Sequence, residues 1–117
     1  MHIKGIPRMF DLLRRASIIG KMAGFNTEIK YKGALFHIQT QDVGPSARCI
    51  ESLIYKAGKL LSSRKTFYTP FLGSPQLQDK IQQLLEEQHG AVLKEIAEGK
   101  FEHYLSPDER LADPDKT

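Results

Sequence analysis

The side chains that could bind a metal are His2, His37, His89 and His103, and their spacing argues against it. None belongs to an H-x-x-x-H or C-x-x-C pattern. Glu86 and His89 form one E-x-x-H pair, whereas a di-iron centre in a helical bundle needs two such pairs plus carboxylates from other helices. No metal ligand and no cofactor is expected. The only cysteine, Cys49, precludes an intramolecular disulfide, and a lone cysteine opening a strand is expected to act as a small buried hydrophobe. The serines lack a G-x-S-x-G elbow, and Gly20 to Gly24 lacks the spacing of a phosphate loop. Among the carboxylates, Asp42 is expected to accept local backbone N–H groups in a turn, and Glu51 to face Arg64 across a hairpin. No catalytic residue emerges, so the chain reads as a non-enzyme.

The cations say more. Residues 1–65 hold 12 Lys/Arg against 4 Asp/Glu, and residues 66–117 hold 5 against 10, so the net +3 divides into a basic half and an acidic half. Such a split means two faces of opposite sign or two halves that attract each other. Lys30, Lys32, Arg48, Lys56, Lys59, Arg64 and Lys65 are interleaved with Tyr31, Phe36 and Tyr55, a composition that can track a nucleic-acid backbone. The alternation sends Tyr31 and Phe36 to a core, however, and the acidic C-terminal half opposes a polyanion.

The elements that position these groups follow from periodicity. Residues 1–25 read as a basic amphipathic leader helix opened by Pro7 and stopped by Gly24. Met9, Leu12, Leu13, Ala16, Ile19, Gly20 and Ala23 make one apolar stripe; Asp11, Arg14, Arg15, Ser17 and Lys21 lie off it. Such a helix packs on its own sheet or docks on an anionic membrane surface or a partner's groove. Two alternating arms follow, turning at Lys32-Gly33 and Ala57-Gly58 and joined by Val43-Gly44-Pro45-Ser46. The first register sets Ile29 against Phe36 and Glu28 against His37. The second sets Tyr55 against Leu60, Glu51 against Arg64 and Ile50 against Lys65. Both faces of the second arm carry apolar groups, so a cover on both sides, such as two helices, is expected. Ser74-Pro75 is the expected start of a helix that carries Leu77, Ile81, Leu84, Leu85, Val92, Leu93 and Ile96 and stops at Gly99. Phe101 and Tyr104 are expected to tuck back, with residues 105–117 a disordered tail.

The strings FHIQTQDVG, IESLIYKAGKLLSSRKTFY and LLEEQHGAVLKEIAEGKF resemble a small module of bacterial proteins with no assigned function, over about Thr27 to Phe101. The resemblance implies a bacterial, cytoplasmic setting and a domain that can be joined to others; it brings no site residues. The N-terminus lacks the uninterrupted apolar run of a secretory signal because Arg14, Arg15 and Lys21 break it, which also points to the cytoplasm.

The fold expected is α+β: a domain over 26–104 in which a four-stranded antiparallel meander packs with a long C-terminal helix, the basic leader helix of 1–25 alongside. The function expected is a non-catalytic regulatory or adaptor module binding an acidic protein or surface through its basic N-terminal half. The contact residues expected are Arg8, Arg14, Arg15, Lys21, Lys30, His37, Arg64 and Lys65. Another protein is the first partner, with a homodimer, nucleic acid and an anionic membrane surface met through residues 1–25 as the alternatives.

Overall fold

The structure, a computed structural model, describes residues 24–111. Strands β1 (Gly24–Tyr31), β2 (Ala34–Gly44), β3 (Cys49–Lys56) and β4 (Lys59–Phe67) form one antiparallel sheet in the order β1-β2-β3-β4. Helix α1 (Leu77–Ala97) packs on β1, β2 and β3, and a short helix, α2 (Pro107–Leu111), follows. The α+β class and the meander agree with the sequence reading. The leader helix lies outside the described residues except at its end, where Gly24 and Phe25 open β1 rather than closing a helix.

Each hairpin turns on two residues at positive φ: Lys32 (49°) with Gly33 (83°), and Ala57 (53°) with Gly58 (76°). This is the type I′ geometry, whose twist matches that of the strands it joins. Left-handed backbone costs a residue with a Cβ about 1–2 kcal/mol, and asparagine bears it better. Ala57→Asn is therefore expected to raise stability by about 0.5–1 kcal/mol, measured as an increase in the urea midpoint at unchanged slope. A decrease would contradict the turn assignment.

The first hairpin has the expected register, Ile29 against Phe36 and Glu28 against His37. The second departs from it. Tyr55 meets Leu60, but a bulge then sets Ile54 opposite Ser62, Ser52 opposite Arg64 and Glu51 opposite Lys65. The extra residue is Leu61, which packs against the core beneath the helix. Because side chains alternate along a strand, a one-residue shift exchanges the faces of everything beyond it. Arg64 thus moves to the helix side and Lys65 to the open side.

Between β2 and β3, the turn falls on Pro45–Arg48 rather than starting at Val43, with the Arg48 N–H donating to Gly44 O at 2.8 Å. Asp42 Oδ1 accepts the Gly44 N–H (2.9 Å), as expected, and also the Tyr68 hydroxyl (2.7 Å). Burial and that carboxylate push Tyr68 up to about 12. Helix α1 begins two residues after Pro75. Ser74 Oγ accepts the Gln76 N–H at 3.0 Å, so it closes a turn ahead of the helix instead of capping it.

Gly99, at φ 86°, ends the run, as expected. A Cβ there would also sit 2.8 Å from the Tyr31 hydroxyl. Phe101 is buried, and the Tyr104 hydroxyl donates to Leu61 O at 3.3 Å, so both tuck back as expected. The expected disorder from 105 onward is corrected as far as Leu111. Leu105 is buried, and Ser106 and Glu109 cap α2 reciprocally: Glu109 N–H to Ser106 Oγ at 3.2 Å and Ser106 N–H to Glu109 Oε1 at 2.8 Å. Residues 112–117 lie outside the described residues.

Candidate interaction face

The helix-covered side of the sheet carries two apolar clusters with a polar belt between them. Toward the two hairpin turns, Phe36, Ile38 and Ile54 meet Val92, Leu93 and Ile96. At the other end, Phe25, Ile50 and Tyr68 meet Ile81 and Leu85. Between the clusters, Thr27, Thr40 and Ser52 face Gln88 and His89, all buried.

Gln88 is oriented by its partners. Arg64 O can only accept, so the Gln88 atom 3.0 Å from it is the amide nitrogen, which also donates to Ser52 Oγ (2.9 Å). Thr66 Oγ1 accordingly donates to Gln88 Oε1. Ser52 Oγ lies 2.7 Å from Thr40 Oγ1, Thr40 Oγ1 lies 2.6 Å from His89 Nδ1, and His89 Nε2 lies 2.8 Å from Thr27 Oγ1, so hydroxyls and ring form one hydrogen-bonded run. A neutral His89 donates from one ring nitrogen in this run and accepts at the other. Burial, with a smaller repulsion from His37, lowers it to about 4. Every described buried side-chain polar atom has a partner, and the belt offers no open position to a ligand. His89 also stands apart from Glu86, which is exposed on the helix's outer side, so the E-x-x-H pair is not a pair in space.

The other side of the sheet has no cover among the described residues. Antiparallel sheets with one wet face usually carry polar residues there. Here Leu35 is 48% exposed, Leu60 51% and Phe67 58%, with Leu53 and Tyr55 half-buried beside them. At the hairpin end, Glu28, Leu35, His37, Tyr55, Lys56 and Glu109 are among the residues lining a cleft of about 360 Å³. His37 Nε2 donates to Asn26 Oδ1 at 2.9 Å, its Nδ1 lies 3.8 Å from Glu28, and its ring meets Tyr55 edge-on. The cleft thus has an apolar wall and an imidazole oriented by its neighbours.

The expected contact residues divide. His37 lines this cleft, and Lys30 and Lys65 are exposed on the two edge strands of the same face, neither in an ion pair among the described residues. Arg64 is a correction: the bulge turns it under α1, where it makes a two-pronged pair with Glu95 at 2.7 and 3.0 Å. The guanidinium holds the Glu95 carboxyl below its usual range, and the carboxylate holds Arg64 above its own. Arg8, Arg14, Arg15 and Lys21 lie outside the described residues. Glu102 accepts from the Tyr31 hydroxyl (2.8 Å) and Lys32 (3.3 Å), and Glu109 pairs with Lys56 (3.0 Å). The sequence reading missed these carboxylates.

Compared with known proteins, the chain matches no family model, curated protein or solved structure. Among the described residues there is no cluster of three or more metal-binding side chains, and no helix is long and apolar enough to cross a membrane.

Proposed function

We propose that this protein is a non-catalytic regulatory or adaptor module whose uncovered sheet face binds a partner protein with an acidic, partly apolar surface. One observation carries the reading. Among the described residues the chain's own glutamates take Lys32, Lys56 and Arg64, whereas Lys30 and Lys65 stand outside these pairs at the edges of a face with exposed leucines and a phenylalanine. An apolar centre rimmed by charge is the usual anatomy of a protein interface. Rim charges steer and select more than they bind, each worth on the order of 1 kcal/mol.

The test uses the tagged full chain beside a Lys30→Glu/Lys65→Glu variant. A protein retained by the wild type is expected to bind the variant about tenfold more weakly, without competition from single-stranded DNA or phosphatidylserine vesicles. Equal retention by the two chains would overturn the reading. A second reading is favoured by Tyr55 and Phe67, which put two aromatic rings on the same face as the lysines. Binding of single-stranded DNA that weakens steeply with salt would replace the first reading with this one.

A further inference from the structure

Among the described residues the sheet ends on β1 and β4, and an edge strand turns a row of N–H and C=O groups toward any strand that can match it. The two edges offer a second copy of this chain different things. Identical strands that pair antiparallel do so about a two-fold axis, so residues equally far on either side of the axis face each other. Strand β4, KLLSSRKTF, carries Lys59, Arg64 and Lys65 and no carboxylate, so no such pairing brings opposite charges together there. Strand β1, GFNTEIKY, carries Glu28 and Lys30 with Ile29 between them. We propose that the protein forms a homodimer through β1, with the axis at Ile29, so that Glu28 of each copy lies opposite Lys30 of the other.

The backbone selects the same register. Tyr31 and Ala34 flank the two-residue turn, and such a turn is closed by a hydrogen-bonded pair. Bonded and non-bonded pairs alternate from there, so Tyr31, Ile29 and Thr27 give their backbone groups to β2, while Lys30, Glu28 and Asn26 turn theirs to the free edge. About Ile29, both Glu28–Lys30 pairs fall on these outward groups and can exchange N–H···O bonds across the axis. An axis at Glu28 or at Lys30 sets a charge against itself, and one at Thr27 sets Glu28 against Asn26 and Lys30 against Gly24. The side chains agree. Glu28 and Lys30 are exposed; within its own chain Glu28 has only His37 Nδ1, at 3.8 Å, and Lys30 is in no ion pair among the described residues. On the other side of the strand, half-buried Ile29 meets its own mate and Thr27 meets Tyr31. A lone lysine on an edge strand keeps other strands off; a carboxylate two residues away turns that guard into a match. The two sheets become one, with both copies of α1 on one side and both open faces on the other. Use of the doubled face by an acidic partner rests on the reading in the preceding subsection; the pairing does not.

Sedimentation equilibrium of the full chain is expected to show a monomer–dimer equilibrium with a Kd below about 0.1 mM. Glu28→Lys and Lys30→Glu each set like charges opposite one another at both pairs and should weaken it by about tenfold or more. Mixed in equal amounts, the two variants should associate again as a heterodimer, because each supplies the charge that the other lacks. For the same reason Glu28→Lys/Lys30→Glu in one chain should restore the homodimer. Recovery on mixing also separates lost pairing from lost folding. A monomer at every concentration, single variants that associate as tightly as the wild type, or a mixture that stays monomeric would overturn the proposal. No partner is present in these samples, so failure here leaves the partner reading standing. Conversely, Glu28→Lys keeps both lysines and so distinguishes loss of the dimer from loss of partner capture.

Discussion

Acidification from neutral pH to about pH 4 is expected to remove roughly 3 kcal/mol of folding stability through His89 alone. The imidazole is lowered from 6.5 to about 4 in the folded chain, and each unit corresponds to about 1.4 kcal/mol. The sign follows from linkage. Between about 6.5 and 4 the unfolded chain takes up a proton that the folded chain refuses, so stability falls as pH falls through that window. Below the folded value both states are protonated and the loss is complete. The hydroxyl chain supplies a reason beyond burial. With both ring nitrogens protonated, Thr40 would donate to Ser52, which already receives the Gln88 amide, and neither the Ser52 hydrogen nor the Thr27 hydrogen would have an acceptor within the belt. Glu95, Glu102 and Glu109 are held below 4.5, so their stabilisation is present above that value and lost as pH falls through their lowered range. The interval from about 6.5 to 4.5 therefore isolates the histidine. Urea midpoints should fall across it in the native chain and stay level in His89→Gln. A level native profile would contradict the assignment.

Thr40→Val is the second large effect. The side chains are close in volume, and valine suits a strand at least as well as threonine. Removing the hydroxyl, however, strands two buried groups: Ser52 Oγ and His89 Nδ1 each lose the partner that Thr40 supplied. At about 1–3 kcal/mol for each unsatisfied buried group, the expected loss is on the order of 2–6 kcal/mol. Adding Ser52→Ala should return part of it, because one stranded group is then deleted; the double variant is expected to be less destabilised than the sum of the two. A loss below about 0.5 kcal/mol, typical of an inert surface change, would show that the belt is not closed.

The fold was largely legible because alternation and turn chemistry agree. Lys32-Gly33 and Ala57-Gly58 sit where two apolar-alternating runs meet, and the sheet built from them is the meander. What escaped was local. The bulge at Leu61 leaves no mark in the alternation, since Leu60 and Leu61 are both apolar and either can face the core; that one residue moved Arg64 from the open face to the helix side. The helical stripe of Leu85 and Val92 has its missing turn at Gln88 and His89, which fall at the same spacing, so the belt was readable as two polar residues on a buried face. The Ser106-Pro107-Asp108-Glu109 string is a capping box with proline in the first turn, a helix signal outweighed by the polar composition around it. The charge split resolves in part into self-attraction, with Glu95, Glu102 and Glu109 each meeting a cation from the sheet. Pairings between such distant residues depend on the fold and have no local signature.

The open face is the one proposed to meet the partner, and lysine acetylation in the presence and absence of that partner tests this most directly. Lys30 and Lys65 lie on the open face, while Lys94 and Lys100 are exposed on α1 and just beyond it. Binding should slow modification of Lys30 and Lys65 by at least several-fold and leave Lys94 and Lys100 unchanged. Protection of Lys94 and Lys100 with Lys30 and Lys65 still reactive would place the partner on the helix side and contradict the account.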